Sequence, residues 1–364
     1  MRILGVIDSF TFGGAETQLA QMLSFFATER GHECIACSLL PQQQPEVEFH
    51  PSVRRLYLGK RSRLSLPRVT RDLARLVRHL EPQVVYSRLP MANALSRVAS
   101  RQPRSKARHV AGVDTVPAMY TLAYTLAHPG SLLFRRLERY ADCLACNSEG
   151  TRQAAIAAGY PEDRLRVVPN GIAVQHFRPP ATRSHSTRTR LLCVASLRPE
   201  KGVERLVRVL APLLGGGTVE LRIVGDGVER PAIERAIARL DVGTSVELIG
   251  AQADVLPALQ SADIFVSAAV VEGFGIAAAE AAAAGLPVVA FTAPGGLGEV
   301  VVDGVTGYLI AHDQPAEFCR VVERLASDSE LRKRMGLAAR QHIVERFSLP
   351  HVADQLEACF NGRC

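Results

Sequence analysis

No stretch of this chain is long and apolar enough to cross a membrane. The nearest candidate, around Val270, is interrupted by Glu272 and Glu280, and the apolar opening Met1 to Ile7 is too short for a secretory signal. The protein is therefore expected to stay in the cytoplasm. Tracts dominated by one residue type, which would indicate disorder, are also missing. There is no Asp-x-Asp pair. Acid is scarce in one region: residues 54–108 hold 15 Lys+Arg against only Asp72 and Glu81. Lysine is scarce throughout, with four in the whole chain, so Lys201 stands out from an arginine-rich background.

At 364 residues, with 47% apolar and 22% charged content, the chain is long enough for two globular domains. Net charge is +7 and uneven: residues 1–170 carry +9 and residues 171–364 carry −2. The basic segment 54–108 suits an anionic partner, and compositional drift explains it as well. Eight cysteines include two C-x-x-C pairs, Cys34/Cys37 and Cys143/Cys146. Both lie in apolar runs that read as strands, where residues three apart point to opposite faces, so neither pair can close on one zinc ion. Buried structural cysteine is the expectation, and a disulfide framework does not suit a cytosolic chain of this size.

Apolar runs and helical spacing alternate along the chain. A strand from Arg2 to Ile7 ends at Asp8, and a loop with Gly13-Gly14 leads into a helix from about Ala15 to Thr28. Val69, Leu73, Leu76, Val77 and Leu80 fall at helical spacing before a short strand, Val84 to Tyr86. Such alternation implies a parallel sheet covered on both faces, with a ligand crevice at the carboxyl ends of the strands. A second series begins at Leu191, after the polar stretch Pro179 to Arg190. Residues 117–140 are rich in apolar and aromatic side chains and read as a pair of packed helices. Ser329 to Phe347 reads as one or two helices, with a last helix from His351 to Phe360.

The most informative stretch is Val271 to Leu286. An apolar run from Ala262 to Val271 predicts a buried strand, Glu272 to Gly275 a turn, and Ile276 to Ala284 an alanine-rich helix. A glycine-rich turn into a helix leaves free N–H groups that favour a phosphate. Glu272 in the turn and Glu280 about one turn into the helix add two acceptors, which suits a polyol that carries phosphate. The plainer interpretation is a buried strand and helix with two incidental glutamates.

The spacing E-x7-E with G-F-G between resembles the signature of the retaining glycosyltransferases of family 4, which have the two-domain GT-B fold. Gly13-Gly14-Ala15-Glu16, Val168-Pro169-Asn170-Gly171-Ile172, Leu197-Arg198-Pro199-Glu200-Lys201-Gly202, Ile223 to Gly227, Gly285 to Val289 and Gly295-Gly296 with Glu299 continue the likeness. It is dense from Asn170 to Leu309 and thin from Cys34 to Cys143. The resemblance implies an α/β protein of two Rossmann-like parallel-sheet domains facing a central cleft. They would be an acceptor-side domain over 1–170, joined by a returning helix over 348–364, a connector over 171–190, and a nucleotide-sugar domain over 191–347.

As the resemblance implies, Lys201, Arg198 and Glu272 form the catalytic set, and Gly13, Gly14, Gly273, Phe274, Gly275, Ile276 and Glu280 bind the donor. The implied activity is transfer of a sugar from a nucleotide-diphosphate sugar to an acceptor glycan or lipid-linked sugar, with retention, in bacterial cell-surface glycan or glycolipid synthesis. No cofactor or metal is expected, no nucleic-acid partner is expected, and peripheral contact with an anionic membrane is. Two departures stand out. Ser196 occupies the place of a family arginine, for which Arg198 is the substitute, and the usual acceptor-side histidine is replaced by His109 or Asp114 at the two ends of one strand. A non-catalytic nucleotide-sugar-binding protein and a sugar-nucleotide epimerase of the same fold remain alternatives. Gly273-Phe274-Gly275 to Ala278 also fits a dinucleotide turn, but no acid follows the next strand, Pro287 to Phe291.

Overall fold

A computed structural model describes residues 1–102, 105–114, 131–180 and 187–363. The chain divides into two compact units, Met1–Gly171 with Leu349–Cys364, and Ile172–Ser348. Most of the aromatic-rich segment, residues 117–130, lies outside the described residues, as does part of the polar stretch, 181–186.

In the first unit the strands are β1 (Arg2–Ile7), β2 (Glu33–Ser38), β3 (Arg54–Tyr57), β4 (Val84–Arg88), β5 (Arg108–Val113), β6 (Cys143–Cys146) and β7 (Leu165–Val167). They form one parallel sheet in the order β3-β2-β1-β4-β5-β6-β7. Helices α1 (Gly14–Glu29), α2 (Leu66–Leu80), α3 (Pro90–Ser100), α4 (Ser131–Glu138) and α5 (Glu149–Ala157) cover it. β4 extends two residues beyond the expected Val84 to Tyr86, because Ser87 and Arg88 find ladder partners on β5. The cysteine argument holds: Cys34 joins the apolar cluster of Ile3 and Phe26, whereas Cys37 joins that of Leu4 and Leu73.

The second unit repeats the design with β8 (Thr189–Val194), β9 (Val219–Val224), β10 (Val246–Gly250), β11 (Ile264–Ser267), β12 (Val288–Phe291) and β13 (Gly307–Ile310) in the order β10-β9-β8-β11-β12-β13, all parallel. Its helices are α6 (Val203–Gly215), α7 (Arg230–Arg239), α8 (Leu256–Ser261), α9 (Ile276–Ala283), α10 (Leu297–Val300), α11 (Pro315–Ser327) and α12 (Ser329–Phe347). β11 is shorter than the apolar run that predicts it. After Ser267 the backbone leaves the ladder, and the N–H of Val270 donates to the carbonyl of Glu200 at 2.9 Å. Hydrophobicity alone cannot mark that point, since Ala268 and Ala269 stay buried.

The last helix, α13 (Leu349–Phe360), belongs to the first unit. Its Val352, Ala353, Leu356 and Phe360 join the core of Ile3, Leu23 and Phe26, and the ring of Phe360 lies 5.5 Å from that of Phe26 and 5.7 Å from that of Tyr86. Polar ends reinforce the contact: His32 Nε2 meets Glu357 at 2.6 Å, and Arg108 Nε donates to the carbonyl of Cys359 at 2.7 Å.

The alanine-rich α9 buries Ala278, Ala279, Ala281, Ala282 and Ala283. Such small side chains remove little apolar area from water, so this helix is stabilised by backbones that approach closely. Gly336 on α12 makes the closest approach, where a Cβ would stand 2.1 Å from the carbonyl oxygen of Gly285. Gly336→Ala should therefore cost about 1–3 kcal/mol, the usual range for overpacking. That corresponds to about 2–12 °C in melting temperature for a domain of this size. An unchanged melting temperature would show that the two backbones are not held together as described.

Candidate functional site

Winding in each sheet reverses once. In the second unit the chain runs outward from β8 through β9 to β10, then returns to place β11 on the other side of β8. The carboxyl ends of β8 and β11 therefore flank the point where the winding reverses, the standard ligand position in such sheets. Both loops carry residues singled out in the sequence. Lys201 ends a short 3-10 turn (Pro199–Lys201) after β8, and Glu272 follows β11.

Close backbone approaches hold both loops. Gly202 has φ +60°, and a Cβ there would lie 2.3 Å from the carbonyl oxygen of Ala268, so only glycine lets the Lys201 turn meet the end of β11. Glu272 is held from the other side: its N–H donates to Pro294 at 3.1 Å, and its carbonyl accepts from Gly296 at 3.1 Å. Gly295 lies between these bonds at φ +118°, and a Cβ would stand 1.9 Å from the carbonyl oxygen of Glu272. Between the two loops, Lys201 Nζ lies 2.6 Å from Glu272 Oε2, with both side chains roughly three-quarters buried. Such a partly exposed pair adds at most about 1 kcal/mol to stability. An anionic ligand can therefore displace the carboxylate at small cost.

Helix α9 starts beside the pair. Gly275 is its N-cap, and the Glu272 side chain approaches Gly275. The amides from Gly273 to Ile276 therefore belong to the same turn as Glu272. One helical turn further on, Glu280 is partly accessible, yet burial lifts its pKa from 4.5 to about 8, with repulsion from Asp254 adding to the rise. At neutral pH this carboxyl is mostly protonated, and hydroxyl donors placed on it would favour ionisation. The Phe274 ring is buried, edge-on to Phe347 at 5.2 Å, so what Phe274 brings to the turn is its backbone. Arg198 lies in the Lys201 loop with an exposed side chain.

In the first unit the reversal falls between β1 and β4. Gly13 and Gly14 stand at the start of α1, and the carbonyl of Gly13 accepts from Thr17 at 2.9 Å. His109, an expected acceptor-side residue, requires correction. As the second residue of β5 it points into the core, fully buried, with Nε2 2.8 Å from Ser87 Oγ and its pKa depressed to about 3 by burial. Asp114, beyond the other end of β5, accepts from Arg88 Nε at 3.0 Å, and Arg88 also donates to Asn170 Oδ1 at 2.8 Å. Arg88, Asp114 and Asn170 line a polar cavity with Gln18 and Asn147.

Sequence reasoning passed over two of these groups. Arg88 was hidden in an apolar strand pattern, although its position at a strand end was a signal. Asp8 was noted only as the end of β1. Its Oδ1 accepts the N–H of Ala92 at the start of α3, at 3.0 Å. Burial raises its pKa to about 7, with that N–H opposing the rise and Glu16 adding to it.

Two family descriptions match the chain: "Glycosyl transferases group 1" over residues 175–342 and "Glycosyltransferase Family 4" over residues 12–176. The GDP-mannose-dependent alpha-mannosyltransferase of Mycobacterium tuberculosis is 30% identical over 379 residues, covering 98% of this chain and 95% of that relative. Matches to several other curated relatives span about half their length, for example 51% of the D-inositol 3-phosphate glycosyltransferase of Nocardia farcinica at 31% identity over 59% of this chain. Among solved structures, sucrose-phosphate synthase from Thermosynechococcus elongatus superposes with a TM-score of 0.86 over 100% of this chain and 99% of that one, at 18% identity. HepE of Anabaena, solved with UDP and glucose, gives 0.80 over 99% of both chains, also at 18% identity. The likeness in sequence over the full length, and in fold over both units, places this chain in the group 1, family 4 glycosyltransferases of GT-B fold.

Proposed function

We propose that the protein is a retaining glycosyltransferase that moves a sugar from a nucleotide-diphosphate donor to an acceptor glycan or lipid-linked sugar, in the synthesis of bacterial cell-surface glycans or glycolipids. The observation that carries this reading is the Lys201–Glu272 pair set across the β8/β11 reversal beside the first turn of α9. The name of the full-length mannosyltransferase relative supports a nucleotide-diphosphate sugar as donor.

In this reading the donor diphosphate displaces Glu272 from Lys201. Lys201, with Arg198 and the amides of Gly273 to Ile276, then faces charge that grows as the sugar–phosphate bond breaks, and fixed donors of this kind stabilise the transition state more than the ground state. Glu272, released from the lysine, accepts sugar hydroxyls, and Glu280 accepts those of the ribose. Neither glutamate acts as a nucleophile. Lysine and amides supply the positive field on the diphosphate, so the reaction proceeds without a metal or other cofactor.

Lys201→Ala and Glu272→Ala should each lower turnover of UDP- or GDP-sugars by about 10²-fold, the scale of one lost preorganised stabiliser. Normal turnover by both folded variants would refute the site. Donor binding should also release a proton. In the free protein the Glu280 pKa is raised to about 8, so the acid is mostly protonated at pH 7. Ribose hydroxyls donating to it favour the carboxylate and lower that pKa. Titration calorimetry at pH 7 in two buffers of different ionisation heat should show the release, and Glu280→Gln should abolish it. Identical heats in both buffers would remove Glu280 from the donor site.

The lipid-linked acceptor reading places the first unit on an anionic membrane surface. Arg68, Arg71, Arg75 and Arg78 are all exposed along α2, opposite its buried Val69, Leu73 and Val77, and Leu64 just before the helix is 93% exposed. Each arginine near such a surface contributes about 1 kcal/mol. The protein should pellet with anionic vesicles at low salt, release as salt rises, and ignore neutral vesicles. Absence of binding at low salt would exclude this contact and leave the transfer reaction in place.

A further inference from the structure

The two loops that carry Lys201 and Glu272 meet a second time, away from the ion pair. Four residues after Lys201, in the first turn of α6, stands Arg205. The loop that grips Glu272 through Pro294, Gly295 and Gly296 begins where β12 ends, at Phe291. The guanidinium of Arg205 lies over the Phe291 ring, 4.2 Å from its centroid. Its Nη2 donates to the carbonyl of His312 at 2.5 Å, and its Nη1 to His312 Nδ1. His312 follows β13 and stacks on the same Phe291 ring, 5.2 Å away and tilted by 15°. The backbone joins the same strands here, with Thr292 N–H donating to Ile310 at 2.8 Å.

The chemistry of this cluster is unusual for an arginine. Among the described residues no carboxylate pairs with Arg205. Its planar fork is instead spent on one carbonyl, one imidazole and one aromatic face, contacts that fix orientation in three directions. Because Nδ1 accepts from the guanidinium, the imidazole is neutral with its proton on Nε2. That nitrogen is buried and faces the backbone of Thr292, so Arg205, the Phe291 ring and the end of β12 together hold His312. Burial and then the charge of Arg205 depress its pKa, against a smaller opposing pull from the Thr292 backbone, in keeping with the neutral ring.

We infer that Arg205 and His312 are positioning residues: they clamp the start of α6 to the end of β12 and so hold the Lys201 loop and the Glu272 loop at the spacing that the ion pair needs. The inference rests on the donor-site reading above. A positioning residue acts through the group it positions, so its effect should vanish when that group is removed.

Binding of UDP and GDP is measured by calorimetry, the tighter nucleotide serving as the probe. The variants are Lys201→Ala, Arg205→Met, the two combined, His312→Leu and His312→Asn. Arg205→Met and His312→Leu should each weaken binding about fivefold, within the range of coupled neighbours. In the Lys201→Ala background, Arg205→Met should add less than about twofold. His312→Asn, whose Oδ1 can accept in place of Nδ1, should recover most of what His312→Leu loses. If Lys201→Ala binds as the wild type does, or the wild type binds neither nucleotide, the donor-site reading fails and the clamp with it. If Lys201→Ala weakens binding while Arg205→Met does not, or if the two losses multiply, the clamp is overturned and the donor site stands. Failure of His312→Asn to recover any of the loss would also overturn it.

Discussion

The contact on which the second unit's site depends is the approach of two backbones where the sheet reverses its winding. Gly202 lies against the carbonyl of Ala268, and the N–H of Val270 bonds to Glu200. These contacts bring the ends of β8 and β11 together and leave Lys201 and Glu272 facing each other at 2.6 Å. A side chain at residue 202 would separate the loops before any charge could act. The ion pair follows from the backbone geometry and contributes little to holding it.

The site gains from that order of causes. A pair worth about 1 kcal/mol or less is easily exchanged for charge-assisted bonds to a phosphate, each worth about 1.5–3 kcal/mol. Rigidity comes from elsewhere: the bonds of Glu272 to Pro294 and Gly296, and the close fit of α12 against the turn after α9 through Gly336 and Gly285. The loops are firm and the charges are loosely engaged, which suits a site that must accept an anion and later release it.

Burial is also used to tune protons. Asp8 at the first reversal and Glu280 beside the second both have raised pKa values, about 7 and about 8, chiefly through desolvation. For such acids the folded pKa lies above the unfolded one, so their contribution to stability falls as pH rises from the unfolded value through the folded value. His109 shows the opposite sign, since burial holds it neutral down to about pH 3. Protonation then favours the unfolded state, and stability falls as pH drops through the ordinary histidine range.

Residue type and spacing alone determined the alternation of strands and helices, the two parallel sheets, the opposed faces of Cys34 and Cys37, and the strand–turn–helix around Glu272. These are local matters, governed by hydrophobic period and by where glycine interrupts it. The Lys201 loop was legible for a similar reason, because a rare lysine follows a strand. Only the tertiary structure decided that β11 ends at Ser267, that Phe274 turns inward against Phe347, and that His109 is sealed in the core while Asp114 meets Arg88. It also brought Arg205, Phe291 and His312 together across more than a hundred residues. None of these has a periodic signal. Each depends on which distant backbone lies alongside, and that is settled by the order of strands in the sheet.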